Sequence, residues 1–301
     1  AAQATSLPEL AALRFAQGIA ASAPAVYAPV LVKQLYSAEG AVVMLGRLGS
    51  VEAMAPAVAP IIGAWLLTRY GWTASFVLVA VVAALIGLGW LVGPGLRAAF
   101  GRSRRVDAGY ATLLADARFL RYGLSQACTL GALLVIVFAA PSVITVSLGG
   151  TLSDFIVMQV LGITLFVTAA NLAGVFSRWW GVDRTLVVGS GVSALGCAGL
   201  VLKASAGLTA VPVLWGLFML VNVGLGIRGP AGFFQALQAA GDNDARGSAL
   251  VILFVMLITG AGTALVAPVI EHGLLPVALV AAGISSVSVL LVLNLRSAPA
   301  G

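Results

Sequence analysis

Nine stretches of this chain contain no Asp, Glu, Lys or Arg, and they leave it few environments in which to fold. They cover residues 15–32, 53–68, 70–96, 122–153, 155–177, 185–202, 204–227, 247–270 and 273–295. A helix needs about 20 apolar residues to cross the hydrocarbon of a bilayer. Eight of the nine reach 18 residues or more, and 53–68 does so once Glu52 is counted within its helix. Composition agrees: 61% of the 301 residues are hydrophobic and 9% are charged, against about 25% charged in a soluble domain. Mean hydropathy is +1.09. The medium around these segments is therefore lipid. Backbone groups in hydrocarbon must find partners within their own segment, which makes the spans α-helices. A barrel strand would alternate apolar and polar residues, whereas residues 133–140 are solidly apolar. The expected fold class is all-α, a polytopic transmembrane bundle of about nine spans.

The charges between the spans are sorted. If the first span runs from outside to inside, successive loops fall on alternate faces. One face then carries Lys33, Arg47, Arg97, Arg102, Arg104, Arg105, Arg118, Arg121, Arg178, Arg184, Arg228, Arg246 and Arg296, which is 13 of the 16 basic residues. The other carries Arg69 and Lys203, and Arg14 lies within the first span. Cytoplasmic loops concentrate Lys and Arg, so the richer face is the inner one and the C-terminus is cytoplasmic. The net charge of +6 reads as this sorting, and no nucleic-acid partner is expected. Ala1 would then stand outside with no secretory leader ahead of the first span. An odd number of upstream helices, three for instance, would restore an inside start. The long basic stretch 95–121 divides the spans three to six, which three more helices would turn into six and six. On that count residues 1–95 hold helices 4–6, the remainder of an N-terminal bundle. Residues 96–118 form a central cytoplasmic loop, and 119–296 a C-terminal bundle of helices 7–12.

Three ionisable side chains fall within or at the edges of the spans: Arg14, Glu52 and Arg228. A charge at the centre of a membrane helix costs about 2.5–3.5 kcal/mol on insertion scales, so such residues face protein or water. Arg14 and Gln17 are three apart and share a helix face; the alternative for Arg14 is to snorkel to the outer surface. Glu52 heads a stripe with Pro56, Pro60 and Gly63, where proline bends the axis. A carboxylate in low dielectric can exchange a proton near neutral pH, which makes Glu52 the candidate for proton coupling. Its alternative is a surface pair with Arg47. Arg228, just ahead of Gly229-Pro230, is expected to snorkel to the inner surface, with a place in a substrate cavity as the alternative. Tyr27, Gln126, Gln159, Asn171 and Asn222 either line such a cavity or tie helix to helix. Cys128 and Cys197 read as small buried residues. With His272 the single histidine, no metal site is expected.

Four stretches carry a family resemblance. Leu13-Arg14-Phe15-Ala16-Gln17-Gly18 contains R-x-x-Q-G, with Leu7-Pro8-Glu9-Leu10 ahead of it. Gly46, Ala55, Ala59-Pro60 and Gly63-Ala64 keep the spacing of G-x8-G-x3-G-P-x2-G-G, with alanine for glycine at Ala55, Ala59 and Ala64. Residues 174–184 are a worn copy of G-x3-D-R-x-G-R-R, with Arg178 where an acid is usual. Arg118-Phe119-Leu120-Arg121, Ala140-Pro141, Gly229-Pro230 and Gly247-Ser248-Ala249 follow in register with the later spans. In these features the chain resembles the major facilitator superfamily, and within it the bacterial drug–proton antiporters of the Bcr/CflA type.

The resemblance implies a twelve-helix fold of two six-helix bundles, here lacking its first three helices. It implies an Arg14 near the transport path, a helix 5 antiporter segment, and a gating loop at Gly174, Arg178, Gly181, Asp183 and Arg184. It also implies that helices 4, 7 and 10 line the cavity. The expected function is secondary active transport, proton-coupled efflux of small amphipathic or drug-like molecules by alternating access. The expected setting is a monomer in a bacterial inner membrane. Its partners are the bilayer, a small-molecule substrate and protons; no cofactor is expected. The alanines in the helix 5 segment leave transport of a metabolite, such as a sugar, organic acid or amino acid, as the alternative. A membrane-embedded enzyme or assembly factor is a third reading. An enzyme would need His, Cys, Asp or Glu clustered at active-site spacing. The ten acids lie mainly in loops, so enzymatic activity is not expected.

Overall fold

The computed structural model describes residues 4–92 and 109–293, with only the backbone of Pro56, Ala57, Ala59, Pro60, Ile61, Ala64 and residues 90–92. Arg97, Arg102, Arg104, Arg105 and Arg296, and most of the expected central loop, lie outside these. The described residues contain nine α-helices of 19–33 residues, one on each expected span. They are α1 (Leu7–Leu35), α2 (Ala38–Tyr70), α3 (Ala74–Val92), α5 (Ala117–Ser142), α6 (Leu152–Trp180), α7 (Val182–Ser205), α8 (Val211–Ala239), α9 (Asp244–Val266) and α10 (Leu274–Leu293). A six-residue helix, α4 (Tyr110–Ala115), precedes α5. Among the described residues seven helices are long and apolar enough to cross a membrane by length and composition, and α3 adds a shorter apolar stretch, Ala74–Gly89. The protein is an integral membrane protein.

Helix ends follow local chemistry. Asp116 caps α5 by accepting from the amides of Arg118 at 2.7 Å and Phe119 at 3.0 Å. Thr151 and Asp154 form a reciprocal capping box at the start of α6, which satisfies amides that have no intrahelical acceptor. Pro141, near the end of α5, is followed by a π-turn at Val143–Ser147. A one-residue junction, Gly181 at φ 78°, separates α6 from α7; a left-handed φ of this kind suits glycine.

The helices fall into two compact units. One contains α1 up to Ala25, α2 from Ala55, and α3. The other contains the rest of α1 and α2 together with α4–α10. Within the larger unit, α8 packs against α7, α6 and α5, while α10 packs against α5 and α7, and α9 against α5. Lipid supplies no hydrophobic drive between helices, so close approach of small residues does much of the joining. Glycines set the tightest crossings. A Cβ on Gly189 of α7 would lie 2.7 Å from the Gly224 carbonyl oxygen of α8, and one on Gly226 of α8 would lie 2.7 Å from the Phe166 carbonyl oxygen of α6.

The larger unit has two apolar cores. One gathers Ile136, Ile144, Met158, Leu200, Phe218 and Leu274. The other gathers Phe119, Leu186, Phe234, Leu250 and Val292 with Ala41, Val42 and Leu45 of α2. Loops sort with them. Residues 146–148, 207–209 and 271–275 meet around a cavity of about 380 Å³ at one end. At the other end Lys33, in the last turn of α1, reaches the junction of α8 and α9. These two groups coincide with the alternate faces that the charge pattern assigns.

The Lys33 ammonium is fully used. It donates to the carbonyls of Leu237 at 2.9 Å and Gly241 at 3.0 Å and pairs with the Asp244 carboxylate. One cation thus closes carbonyls left open at the end of α8 and an acid at the start of α9. Lys33→Met is expected to cost about 1.5 kcal/mol, as for hydrogen bonds to a charged group. Thermal unfolding of Lys33→Met, Asp244→Asn and the double variant checks this: the double should lose little more than either single, as coupled positions do.

Candidate functional site

Between the two apolar cores, a polar layer crosses four helices. Along α5 the core residue Phe119 gives way to Ser125, Gln126 and Thr129 before apolar packing resumes at Ala132. The same switch occurs at Ser190 and Ser193 of α7, Arg228 of α8, and Ser285 and Ser288 of α10, all of them fully buried. Arg228 is the centre of the layer. Its Nη1 donates to the Ser125 carbonyl at 2.6 Å, to the Thr129 hydroxyl, and to Ser288 Oγ at 3.4 Å. Thr129 and Ser288 hydroxyls are 2.6 Å apart, and Ser288 Oγ donates to the Ser125 carbonyl at 2.9 Å. A cation thereby binds α8 to α5 and α10 through neutral acceptors. Arg228 is 0% exposed, so it does not snorkel. Helix α8 runs eleven residues beyond it, about 16 Å at 1.5 Å per residue.

The other expected cavity residues do not converge on this layer as one group. Gln126 does: its Oε1 and Arg228 Nη2 both approach Gly232. Asn222 faces α6, where a Cβ on Gly162 would lie 2.8 Å from its Nδ2, and it donates to its own helix at Phe218. Gln159 is buried on α6. Asn171 is exposed on its helix and donates to Ser50 Oγ on α2 at 2.9 Å. Tyr27 is exposed. Arg14 and Gln17 are both exposed, with the Arg14 guanidinium 4.4 Å from the centre of the Phe76 ring, a cation–π contact. Glu52 is exposed, and no ion pair joins it to Arg47 among the described residues.

The sequence matches the Major Facilitator Superfamily over residues 1–267, a span that takes in both units and eight of the nine long helices. The chain belongs to the major facilitator superfamily. Members are transporters and not enzymes. Two relatives are similar to this facilitator. One is a chloramphenicol resistance protein of Pseudomonas aeruginosa, 30% identical over 214 residues, or 68% of this chain and 47% of the relative. The other is a bicyclomycin resistance protein homolog of Haemophilus influenzae, 34% identical over 80 residues, or 27% of this chain and 20% of the relative. The facilitator chain thus spans about half the length of the first relative or less.

The two motif regions of the facilitator look as follows. In the antiporter-like segment of α2, Gly46 lies so close to the Ala170 carbonyl of α6 that no Cβ fits there, with Pro230 of α8 beside it. Ala55 is exposed, and Gly63 has open space around it. Ala59, Pro60 and Ala64 are described by backbone alone. The expected gating loop is almost entirely helical: Gly174 and Arg178 belong to α6, Asp183 and Arg184 to α7, and only Gly181 stands between helices. Gly174 is packed against Val43 of α2, and Arg178 and Arg184 are exposed.

Ser125 and Gly232 of the polar layer, and the Lys33–Asp244 pair, were not marked by sequence reasoning. Serine at 125 and threonine at 129 share a helix face at a spacing of four, which is the signal available for that pair. The ion pair joins positions 211 apart, and no local pattern announces it.

Proposed function

We propose that this chain forms part of a proton-coupled efflux transporter for small amphipathic molecules. The protein sits as a monomer in a bacterial inner membrane with its C-terminus in the cytoplasm. Two bundles alternate access to a central path, Glu52 carries the proton, and Arg14 and Gln17 border the path. The carrying observation is the similarity over 68% of the chain to a protein named for chloramphenicol resistance. The backbone contact of Gly46 with Ala170 supports it, because the first glycine of the antiporter-like segment is the one that no larger residue can replace.

In vesicles with an imposed pH gradient, chloramphenicol movement is expected to follow the gradient. Glu52→Gln is expected to slow gradient-driven movement about tenfold, equivalent to about 1.4 kcal/mol in the barrier. Movement indifferent to the gradient would defeat antiport. The alanines at 55, 59 and 64 favour a second reading, a metabolite carrier. A competition panel in which sugars, organic acids or amino acids displace the drug would select it.

A further inference from the structure

At the end of the larger unit away from Lys33, the cavity of about 380 Å³ falls within the size range of small-molecule sites. Residues 146–148 after α5, Ala204 and residues 207–209 at the end of α7, and residues 271–275 where α10 begins enclose it. Gly207 and Gly273, at φ 65° and 88°, turn two of these segments sharply, in a backbone state that favours glycine. Leu148, Leu208 and Leu275 give the cavity an apolar wall. Ser147, Thr209, Glu271 and His272 bring polar side chains to the same space. None of those four side chains makes a hydrogen bond or ion pair among the described residues. An apolar wall with a few convergent, unengaged polar groups is the usual make-up of a ligand site.

The charge at this cavity has one sign. Among its lining residues Glu271 is the one with a formal charge at neutral pH. Lys203, in the last turn of α7, does not neutralise it: the lysine is buried, its ammonium donates to the Leu208 carbonyl, and no ion pair joins it to Glu271. Helix ends add to the sign. Helix α7 and the π-turn after α5 both finish at the cavity, and a helix C-terminus carries partial negative charge; the start of α10 at Leu274 is one opposing end against these two. An ammonium beside the carboxylate, with an apolar body on the leucine wall, satisfies both halves of the site, whereas a carboxylate on the same body would meet like charge. We infer that this cavity binds an amphipathic organic amine of single positive charge. Glu271 receives its ammonium, with the hydroxyls of Ser147 and Thr209 as further acceptors. Every lining residue belongs to the larger unit, so the inference is independent of the efflux reading.

The test is equilibrium binding of tritiated 4-phenylbutylamine to the full chain in phosphatidylcholine nanodiscs, with empty nanodiscs as the blank. Unlabelled 4-phenylbutylamine, 4-phenylbutanol and 4-phenylbutyrate then compete; they share a body and differ in the charge of the head. The amine is expected to bind saturably, the alcohol to compete about fivefold more weakly, as for an ion pair open to water, and the butyrate to be the weakest. Glu271→Gln is expected to raise the half-saturating concentration of the amine about fivefold as well. Thr209→Trp, which fills the cavity from an exposed position, is expected to abolish binding. Glu39→Gln, which removes an exposed acid at the start of α2, should bind as wild type does. Competition by the alcohol equal to that by the amine would overturn the inference. So would unchanged binding in either Glu271→Gln or Thr209→Trp, or a loss in Glu39→Gln as large as in Glu271→Gln.

Discussion

Valine in place of Gly224 is expected to melt the bundle about 6–12 °C below wild type, the equivalent of about 3 kcal/mol. A Cβ at Gly224 would lie 2.5 Å from the Gly189 carbonyl oxygen, and closer still to the Ser193 amide nitrogen. What it meets is the backbone of the neighbouring helix, so no side-chain rotation relieves the overlap and α7 must move away from α8. That movement reaches the polar layer directly, because Gly189 also packs on the Cβ of Arg228. Gly216→Val on the same helix supplies the control: a Cβ there meets nothing within 4 Å, and its melting point should match wild type. The buried thiols of Cys128 and Cys197 report the transition. Equal melting of Gly224→Val and Gly216→Val would show that the two helices do not cross at their glycines.

Thr129→Val keeps the shape of the side chain and removes an acceptor from a buried cation. Hydrogen bonds to charged groups contribute about 1.5–3 kcal/mol, and the loss of one from an enclosed guanidinium belongs in that range. The change also takes away the partner 2.6 Å from Ser288 Oγ, which leaves the Ser125–Ser288 bonds alone to tie α10 to α5 on this face. In an Arg228→Met background the same substitution should cost much less, since the charge that needed the hydroxyl is gone. Thr259→Val offers the contrast. Its hydroxyl is buried without a partner, so its replacement should be neutral or stabilising. Melting curves of the three variants, and of the double variant, test the order.

The helices could be read from the sequence because charge marks where lipid ends. Helix α7 begins at Val182 and α9 at Asp244, close to Arg184 and Arg246, which bounded their expected spans. The family was legible too, since its motifs fall in register with those spans. Arg228 was not. Gly229-Pro230 reads as a helix end, where a long cation snorkels. The helix instead continues to Ala239, and Ala231, Phe234 and Ala236 beyond the proline pack into the core that holds Phe119. Tertiary packing overrode a local breaker, and the arginine was carried inside. The expected gating loop lies between the helices that the sequence assigned to it, but a single left-handed glycine suffices to turn the chain there, so the other motif residues remain helical. The serine and threonine contacts of the layer depend on which helices become neighbours, and nothing within a span records that.

The polar layer also sets conditions on how the protein is made. When α8 leaves the ribosome it carries an arginine into the bilayer, and α10 with Ser288 lies 60 residues further along the chain. The acceptors already in place at that moment are those of α5, Ser125 and Thr129. In chain order the acceptors of α5 therefore precede the arginine that they receive, and α10 completes a pairing that the earlier two can begin.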